Sequence, residues 1–350
     1  MKKIIALILV LAICLAMTAC SGGEKTTEGN SDAYANLDKV ELIGADSTGK
    51  GAAGQLFGEY VAKRVDEITG GKLTIDYHPN GDLGGDADLI RQMQANDIQL
   101  VVCQTAPIVS FIPEMAVFDL PMVFSKFSGD TIDKVLNGEN DFSSALREDY
   151  EKADLHLLGF LQNATYRLAT ANKALNTLED FKGLQIRTME NSNHMNFWTA
   201  IGAEPTPLAW AELYIALQNG TVDAQENAAD TCVGASFQEV QKYLACTNHI
   251  LYCNQICMSK EGWEALDPAY QAALEQAVAD AIAYMRPQLE QIDKDNKKIL
   301  ADGGMTIIEY PDDFYNGILA MDKVQAVYKD IDENQVGGLG TLLVNELNKK

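Results

Sequence analysis

"FKGLQIRTMENSNHMNFW", Phe181 to Trp198, is the stretch on which the reading of this chain turns. Within it "LQIRTM" has the character of a short strand, and "SNHMNFWTAIG" reads as a helix. Arg187 therefore stands where a strand ends and a helix is about to begin. In open α/β sheets that is where ligands bind, outside the carboxyl ends of the strands. The chain carries 50 acidic against 27 basic residues, a net charge of −23. An arginine in so negative a chain needs a partner, and the nature of that partner is the functional question.

Working outward, strands and helices alternate on both sides. "KVELIGAD" (39–46), "KLTIDYHP" (72–79) and "IQLVVCQT" (98–105) read as strands, separated by the helical segments "AAGQLFGEYVAKRVDEITGG" and "GGDADLIRQMQAND". Pro107 follows the third strand. This is the pattern of a sheet covered by helices. Helical "TIDKVLNG" and "FSSALREDYEKAD" follow, and a second strand-rich stretch begins at "LHLLGFLQNATYRLAT" (155–170). It continues through the Arg187 strand, the helix "WAELYIALQNG" closed by Gly220, "TVDAQEN" and "HILYCNQICMS" to a long helix over Pro268–Asp302, with Pro287 as a candidate kink. Two α/β lobes with a cleft between them is the economical architecture.

The N-terminus reads as a targeting segment. Lys2 and Lys3 precede the apolar run 4–16, which is too short to span a bilayer. "MTAC" (17–20) is similar to a bacterial lipobox, with Met17 where leucine is commonest and Cys20 as the lipidated first residue of the mature chain. Residues 1–19 are then a lipoprotein signal peptide and 20–36 a polar, flexible tether. The expected location is extracytoplasmic, anchored by lipid to the outer face of the cytoplasmic membrane or periplasmic. Five further cysteines remain: Cys103, Cys232, Cys246, Cys253 and Cys257. Four residues of strand separate Cys253 from Cys257 by about 13 Å, too far for a disulfide. Small buried thiols are the simpler reading.

Several functional classes find little support. No basic run with interleaved aromatics points to nucleic acid. "GADSTGKG" (44–51) comes near a phosphate-binding loop, but Gly51 stands where the magnesium-holding hydroxyl belongs. A loop offering Asp46 and Ser47 to a ligand is the better reading. The histidines His78, His156, His194 and His249 are scattered, with no metal-ligand spacing, and each reads as structural; no cofactor or metal is expected. Arg187 has company, however: Arg167 and Asn227 also fall at or just beyond strands of the second lobe. Two guanidiniums and an amide on one rim suit a carboxylate. From pattern alone, pairing of the arginines with surface Asp or Glu residues is equally open.

From about Leu37 to the end of the long helix, the chain resembles the extracytoplasmic solute-binding proteins of TRAP (tripartite ATP-independent periplasmic) transporters. The likeness is densest over "DFKGLQIRTMENSNHMNFWTAIGAEPTPLAWAELYIALQNGTVDAQEN" and continues in "EVQKYLACTNHILY", "GDLGGDADLIRQMQANDIQLVV" and "FIPEMAVFDLPMVF". It implies a two-lobe, type II periplasmic-binding-protein-like α/β fold with a long helix crossing both lobes. Residues 37–163 plus about 253–290 would form lobe I, and 164–252 plus about 291–350 lobe II. It further implies that Arg187 forms a salt bridge with a ligand carboxylate, that Arg167 and Asn227 assist, and that Trp210 packs on the ligand. Asp46, Gln104 and His249 would be variable pocket positions; Gln104 departs from the acidic residue of some sialic-acid binders. Tyr214 is placed with the binding residues. The implied function is a monomeric receptor that hands an organic acid to TRAP membrane permease subunits. Sugar acids such as uronates or aldonates lead, with C4-dicarboxylates, sialic acid and 2-oxo acids behind. A surface sensor for a signalling partner is the alternative, and an extracellular enzyme comes third.

Overall fold

The computed structural model describes residues 33–349. The signal segment, Cys20 and most of the tether lie outside the described residues. Among those described, no helix is long and apolar enough to cross a membrane.

The first sheet grows from β1 (Val40–Asp46), which pairs in parallel with β2 (Leu73–His78) and β3 (Leu100–Gln104). Its helical cover is α1 (Ala53–Thr69) and α2 (Asp86–Gln94). Glycine makes one close approach possible: a Cβ on Gly58 of α1 would lie 1.9 Å from the Tyr77 hydroxyl oxygen. The bare backbone lets Tyr77 reach beneath the helix to Asp46. α3 (Gly129–Asn137) and α4 (Asp141–Lys152) follow, and the sheet is completed by β4 (Leu155–Tyr166), which pairs with β10 (Leu251–Ser259). The order is β2-β1-β3-β10-β4. Every residue of β10 is buried, so Cys253 and Cys257 are small core side chains there, as are Cys103 on β3 and, in the second lobe, Cys232 and Cys246.

The second sheet is entered across one residue, Arg167, between β4 and β5 (Leu168–Ala171). It holds β6 (Gln185–Thr188), β7 (Glu204–Pro207), β8 (Ala224–Asn227), β9 (Tyr243–Ala245) and β11 (Thr306–Ile308), in the order β11-β9-β5-β8-β6-β7. α5 (Ser192–Ala200) follows β6, α6 (Trp210–Asn219) follows β7, and α7 (Ala229–Gly234) follows β8. β6 lies parallel to both its neighbours, so the chain leaves β6, β7 and β8 at one edge. The chain returns to the first sheet between β9 and β10, and the Arg167 N–H donates to Ile250 O at 2.8 Å across the two crossings.

After the short α8 (Lys260–Glu264), helix α9 (Pro268–Asp302) runs 35 residues, about 52 Å at 1.5 Å per residue. Tyr270 to Leu289 pack in the first lobe's core and Leu300 in the second's, so it spans both. It continues through Pro287. α10 (Asp312–Leu319) and α11 (Asp322–Lys329) place Ile318 and Val324 in the second core. The sequence reading kept the chain in lobe II to its end, and here the structure corrects it. Ile331, Val336 and α12 (Leu339–Leu347), with Leu339, Leu343 and Leu347 on one helical face, pack in the first lobe's core.

Candidate binding cleft

A cavity of about 630 Å³ lies between the lobes, bordered by the β1–α1 loop, the start of α2 and the end of β3 on one side and by the ends of β6, β7 and β8 on the other. Arg187 lies on its second-lobe wall and is only 2% exposed. Nε and Nη2 both donate to the carbonyl of Leu208, at 2.8 and 2.6 Å. Nη1 is buried without a partner among the described residues. Of the five N–H bonds of a guanidinium, those on the end-on edge remain for an anion. Burial, reinforced by the nearby Arg167, lowers the pKa to about 10 against the attraction of Glu226. The group is still charged at neutral pH, desolvated and short of an acceptor. A carboxylate 4 Å away gains about 4 kcal/mol at an effective dielectric constant of 20.

Behind this wall, Arg167 organises the floor. Its Nε pairs with Glu226 Oε2. Nη1 donates to Gln104 Oε1 at 2.6 Å, and Nη2 to Asn227 Oδ1 at 3.0 Å and Glu226 O at 3.1 Å. Tyr252 lies under the guanidinium, 5.3 Å from ring centroid to Cζ. The register Leu168↔Asn227 between β5 and β8 puts these residues side by side. Because arginine only donates, it fixes which end of each amide faces it. The Gln104 carbonyl points to Arg167, leaving its NH₂ for the cavity; Asn227 Nδ2 is in turn held by Gln225 Oε1 at 2.8 Å.

The first-lobe wall is acidic and hydroxyl-bearing. Ser47 and Thr48 line it, and the Ser47 hydroxyl donates to Asp86 Oδ1 at the first residue of α2. Burial pushes the Asp86 carboxyl up to about 6, although Ser47 opposes the shift. Trp210, 38% exposed at the start of α6, supplies an aromatic face, with its ring edge-on to Phe237.

The residues anticipated from sequence divide into two sets. Ser47, Gln104, Arg187, Trp210 and Asn227 line the cavity. Arg167 lies behind the lining and acts through Gln104 and Asn227. Asp46 is fully buried, accepting from Thr48, Tyr77 and the Asn80 N–H; it holds the loop that carries Ser47 and does not face the cleft. His249 is also fully buried, between Thr247 and Glu226 and stacked on Phe197. Tyr214 sits a helical turn beyond Trp210, and its hydroxyl donates to Glu239 at 2.9 Å, outside the cavity lining. Asp86, Thr231, Tyr252 and Glu190 line the cavity without having been anticipated. The glycines before Asp86 were its one sequence signal: Gly81 and Gly84 have positive φ and turn the chain into the cleft.

A buried polar chain runs deeper still. Glu226 is held ionised: burial would raise its pKa, but Arg167 and His194 bring it well below the usual range. His194 has its two ring nitrogens 3.3 Å from Glu226 Oε1 and 3.1 Å from Asp119 Oδ1. Burial would lower its pKa, yet the two carboxylates raise it to about 9. His249 goes the other way, its pKa lowered by burial. Reading His194 as an ordinary core histidine from sequence missed this, because Asp119 and Glu226 are remote in the chain.

The chain and its two-lobe fold have counterparts among known proteins. Residues 48–335 match the bacterial extracellular solute-binding protein family 7. The chain belongs to that family. The family-7 protein is 31% identical over 219 residues to the sialic acid-binding periplasmic protein SiaP of Vibrio cholerae, covering 62% of this chain and 67% of the relative. The sugar acid binding protein DctPAm from Advenella mimigardefordensis, solved in complex with galactonate, superposes with a TM-score of 0.82 at 26% identity, covering 89% of this chain and 99% of that one. A TRAP periplasmic solute binding protein from a Bradyrhizobium species, solved with D-galacturonate, gives a TM-score of 0.80 at 25% identity, covering 87% and 100%. The expected two-lobe fold and TRAP membership hold. The family is one of extracytoplasmic solute receptors that work with membrane permease components, and not an enzyme family.

Proposed function

We propose that this TRAP solute-binding protein captures a sugar acid, an aldonate or a uronate, by its carboxylate and delivers it to a TRAP permease. The observation that carries the reading is Arg187 Nη1, buried on the cavity wall without a partner among the described residues. A carboxylate completes it. Gln104 and Asn227 present oriented amides beside it, and Trp210 offers a flat apolar face to the C–H side of a sugar. The opposite wall, with Asp86, Ser47 and Thr48, supplies acceptors for ligand hydroxyls. Relatives that bind galactonate and galacturonate support this ligand class. Calorimetric titration with D-galactonate, D-galacturonate, succinate and N-acetylneuraminate tests it. Tightest binding by one of the two sugar acids is expected; preference for succinate or N-acetylneuraminate would replace the assignment. We further propose that Cys20 carries the lipid anchor. Fatty-acid labelling of the expressed chain should be lost in Cys20→Ala.

A further inference from the structure

Three donors at the start of α5 in the second lobe converge on one carboxylate of the first. Asp119 ends the 3-10 turn Pro113–Asp119 and is 1% exposed. Its Oδ2 accepts from Asn191 Nδ2 at 2.8 Å and Asn193 Nδ2 at 3.2 Å, and its Oδ1 faces His194 Nε2 at 3.1 Å. The other ring nitrogen of His194 faces Glu226 Oε1. Glu226 is paired with Arg167, and Arg167 donates to Gln104 on the first-lobe side of the cleft. Asp119, His194, Glu226, Arg167 and Gln104 thus form one chain that leaves the first lobe, crosses the second and comes back to the first beside the cavity.

The charges alternate along that chain. A neutral imidazole has one N–H, yet each ring nitrogen of His194 faces a carboxylate oxygen, Asp119 Oδ1 on one side and Glu226 Oε1 on the other. The doubly protonated ring donates to both at once. If His194 loses its charge, Asp119 becomes a buried carboxylate with no cation, a state that is strongly disfavoured. Separation of the lobes would relieve it by returning Asp119 to water. We propose that His194 is a positioning residue that couples lobe closure to the carboxylate site, its imidazolium making it favourable for the second lobe to bury Asp119 and hold Arg167 and Gln104 in place. The inference rests on the reading of the protein as a two-lobe receptor. The charged groups that face His194 are Asp119 from the 3-10 turn and Glu226 from β8; Arg167 and His249 stand one bond further away, both on Glu226. Asn191, Asn193 and Gln335, the last bonded to Asn193, complete the surroundings with neutral amides.

The test measures the distance between the lobes directly. Spin labels at Lys63→Cys on α1 and Gln218→Cys on α6 report on the two lobes, while the five cysteines among the described residues are buried. Wild type, His194→Asn and Asp119→Asn are compared without ligand and with D-galacturonate or D-galactonate, at pH 7.5 and pH 10. At pH 7.5 both variants should show a closed population at least about twofold smaller than wild type. Wild type should move toward the His194→Asn distribution on going to pH 10, while that variant stays put. Affinity for the sugar acid should fall about tenfold in His194→Asn, and its pH dependence between 7.5 and 10 should flatten. Superimposable distance distributions for wild type and the variants at pH 7.5 would overturn the proposal. If His194→Asn does not fold, Asp119→Asn and the wild-type pH series decide. If neither sugar acid binds wild type, the ligand assignment fails, while the ligand-free distances still decide on His194.

Discussion

Arg187 grips the carbonyl of Leu208 with two of its nitrogens and leaves the third without an acceptor among the described residues. Leu208 precedes α6, and its own N–H donates to Thr188 O at 3.1 Å, so the end of β6 and the approach to α6 are tied together around the arginine. The guanidinium is fixed before any ligand arrives, which limits the entropy lost on binding. Preorganisation on this scale explains how a chain with net charge −23 holds an anion. The long-range field is screened within about 8 Å at physiological salt, whereas the local pair is not.

Arg187→Lys should therefore weaken sugar-acid binding by at least tenfold, about 1.4 kcal/mol. Lysine keeps the charge but cannot bind Leu208 O and a carboxylate through one planar group. Calorimetry measures the loss, and the far-ultraviolet circular dichroism should be unchanged. Equal affinities would remove Arg187 from the site.

Asp86→Asn should stabilise the protein near neutral pH. The folded-state pKa is raised to about 6 by burial, above an unfolded value near 3.9. The ionised carboxylate is thus a penalty carried above pH 6, which fades as the pH falls through 6 toward 4. With screening at this partly exposed site, a gain of about 1 kcal/mol, or roughly 2 °C in Tm, is expected at pH 7.5. Thermal melts should show the gain vanishing by about pH 4. A variant less stable than wild type at pH 7.5 would mean that the Ser47 bond outweighs desolvation.

Trp210 should dominate the fluorescence response to ligand. Trp198 is fully buried in the second core and Trp263 stacks on His156 at 4.0 Å, away from the cavity lining. Trp210→Phe should abolish most of the ligand-induced change and weaken binding several-fold, since phenylalanine keeps an apolar face but loses area and the indole N–H. An unaltered response would make the residue structural.

Much of this was legible in the sequence because it is local. The strand-to-helix step at Arg187, the alternation of elements, the end of "IQLVVCQ" at Gln104 and the aromatic start of "WAELYIALQNG" each depend on a few neighbouring residues. Asp46 and His249 were misplaced for a different reason. Strand ends fix a residue near the cleft, but whether its side chain faces ligand or core depends on partners such as Tyr77 and Glu226, remote in sequence. Tyr214 shares a helical face with Trp210 but sits one turn further along α6, past the cavity, where its hydroxyl meets Glu239. The Asp119–His194 contact joins positions 75 apart, and no periodicity announces it. The return of α12 to the first lobe was equally invisible, since its apolar face says that it packs but not where.

Gln104→Ala should reduce both affinity and closure. Gln104 is the one lining side chain of the first lobe that accepts from Arg167, at 2.6 Å, among the bonds of the described residues. Alanine removes the acceptor and leaves Arg167 Nη1, behind the cavity wall, without its partner, a cost of about 1–3 kcal/mol for a buried donor. It also removes the oriented NH₂ that the ligand would meet. Carboxylate recognition by Arg187 remains, so binding should weaken about tenfold without disappearing, and selectivity among carboxylates should be kept. Closure should suffer as well, because the Gln104–Arg167 bond joins the lobes. Small-angle scattering in saturating D-galactonate or D-galacturonate should show a smaller decrease in radius of gyration for Gln104→Ala than for wild type. If the wild-type profile itself does not change with a ligand that calorimetry shows to be bound, the cleft is rigid, and Gln104 acts on affinity alone.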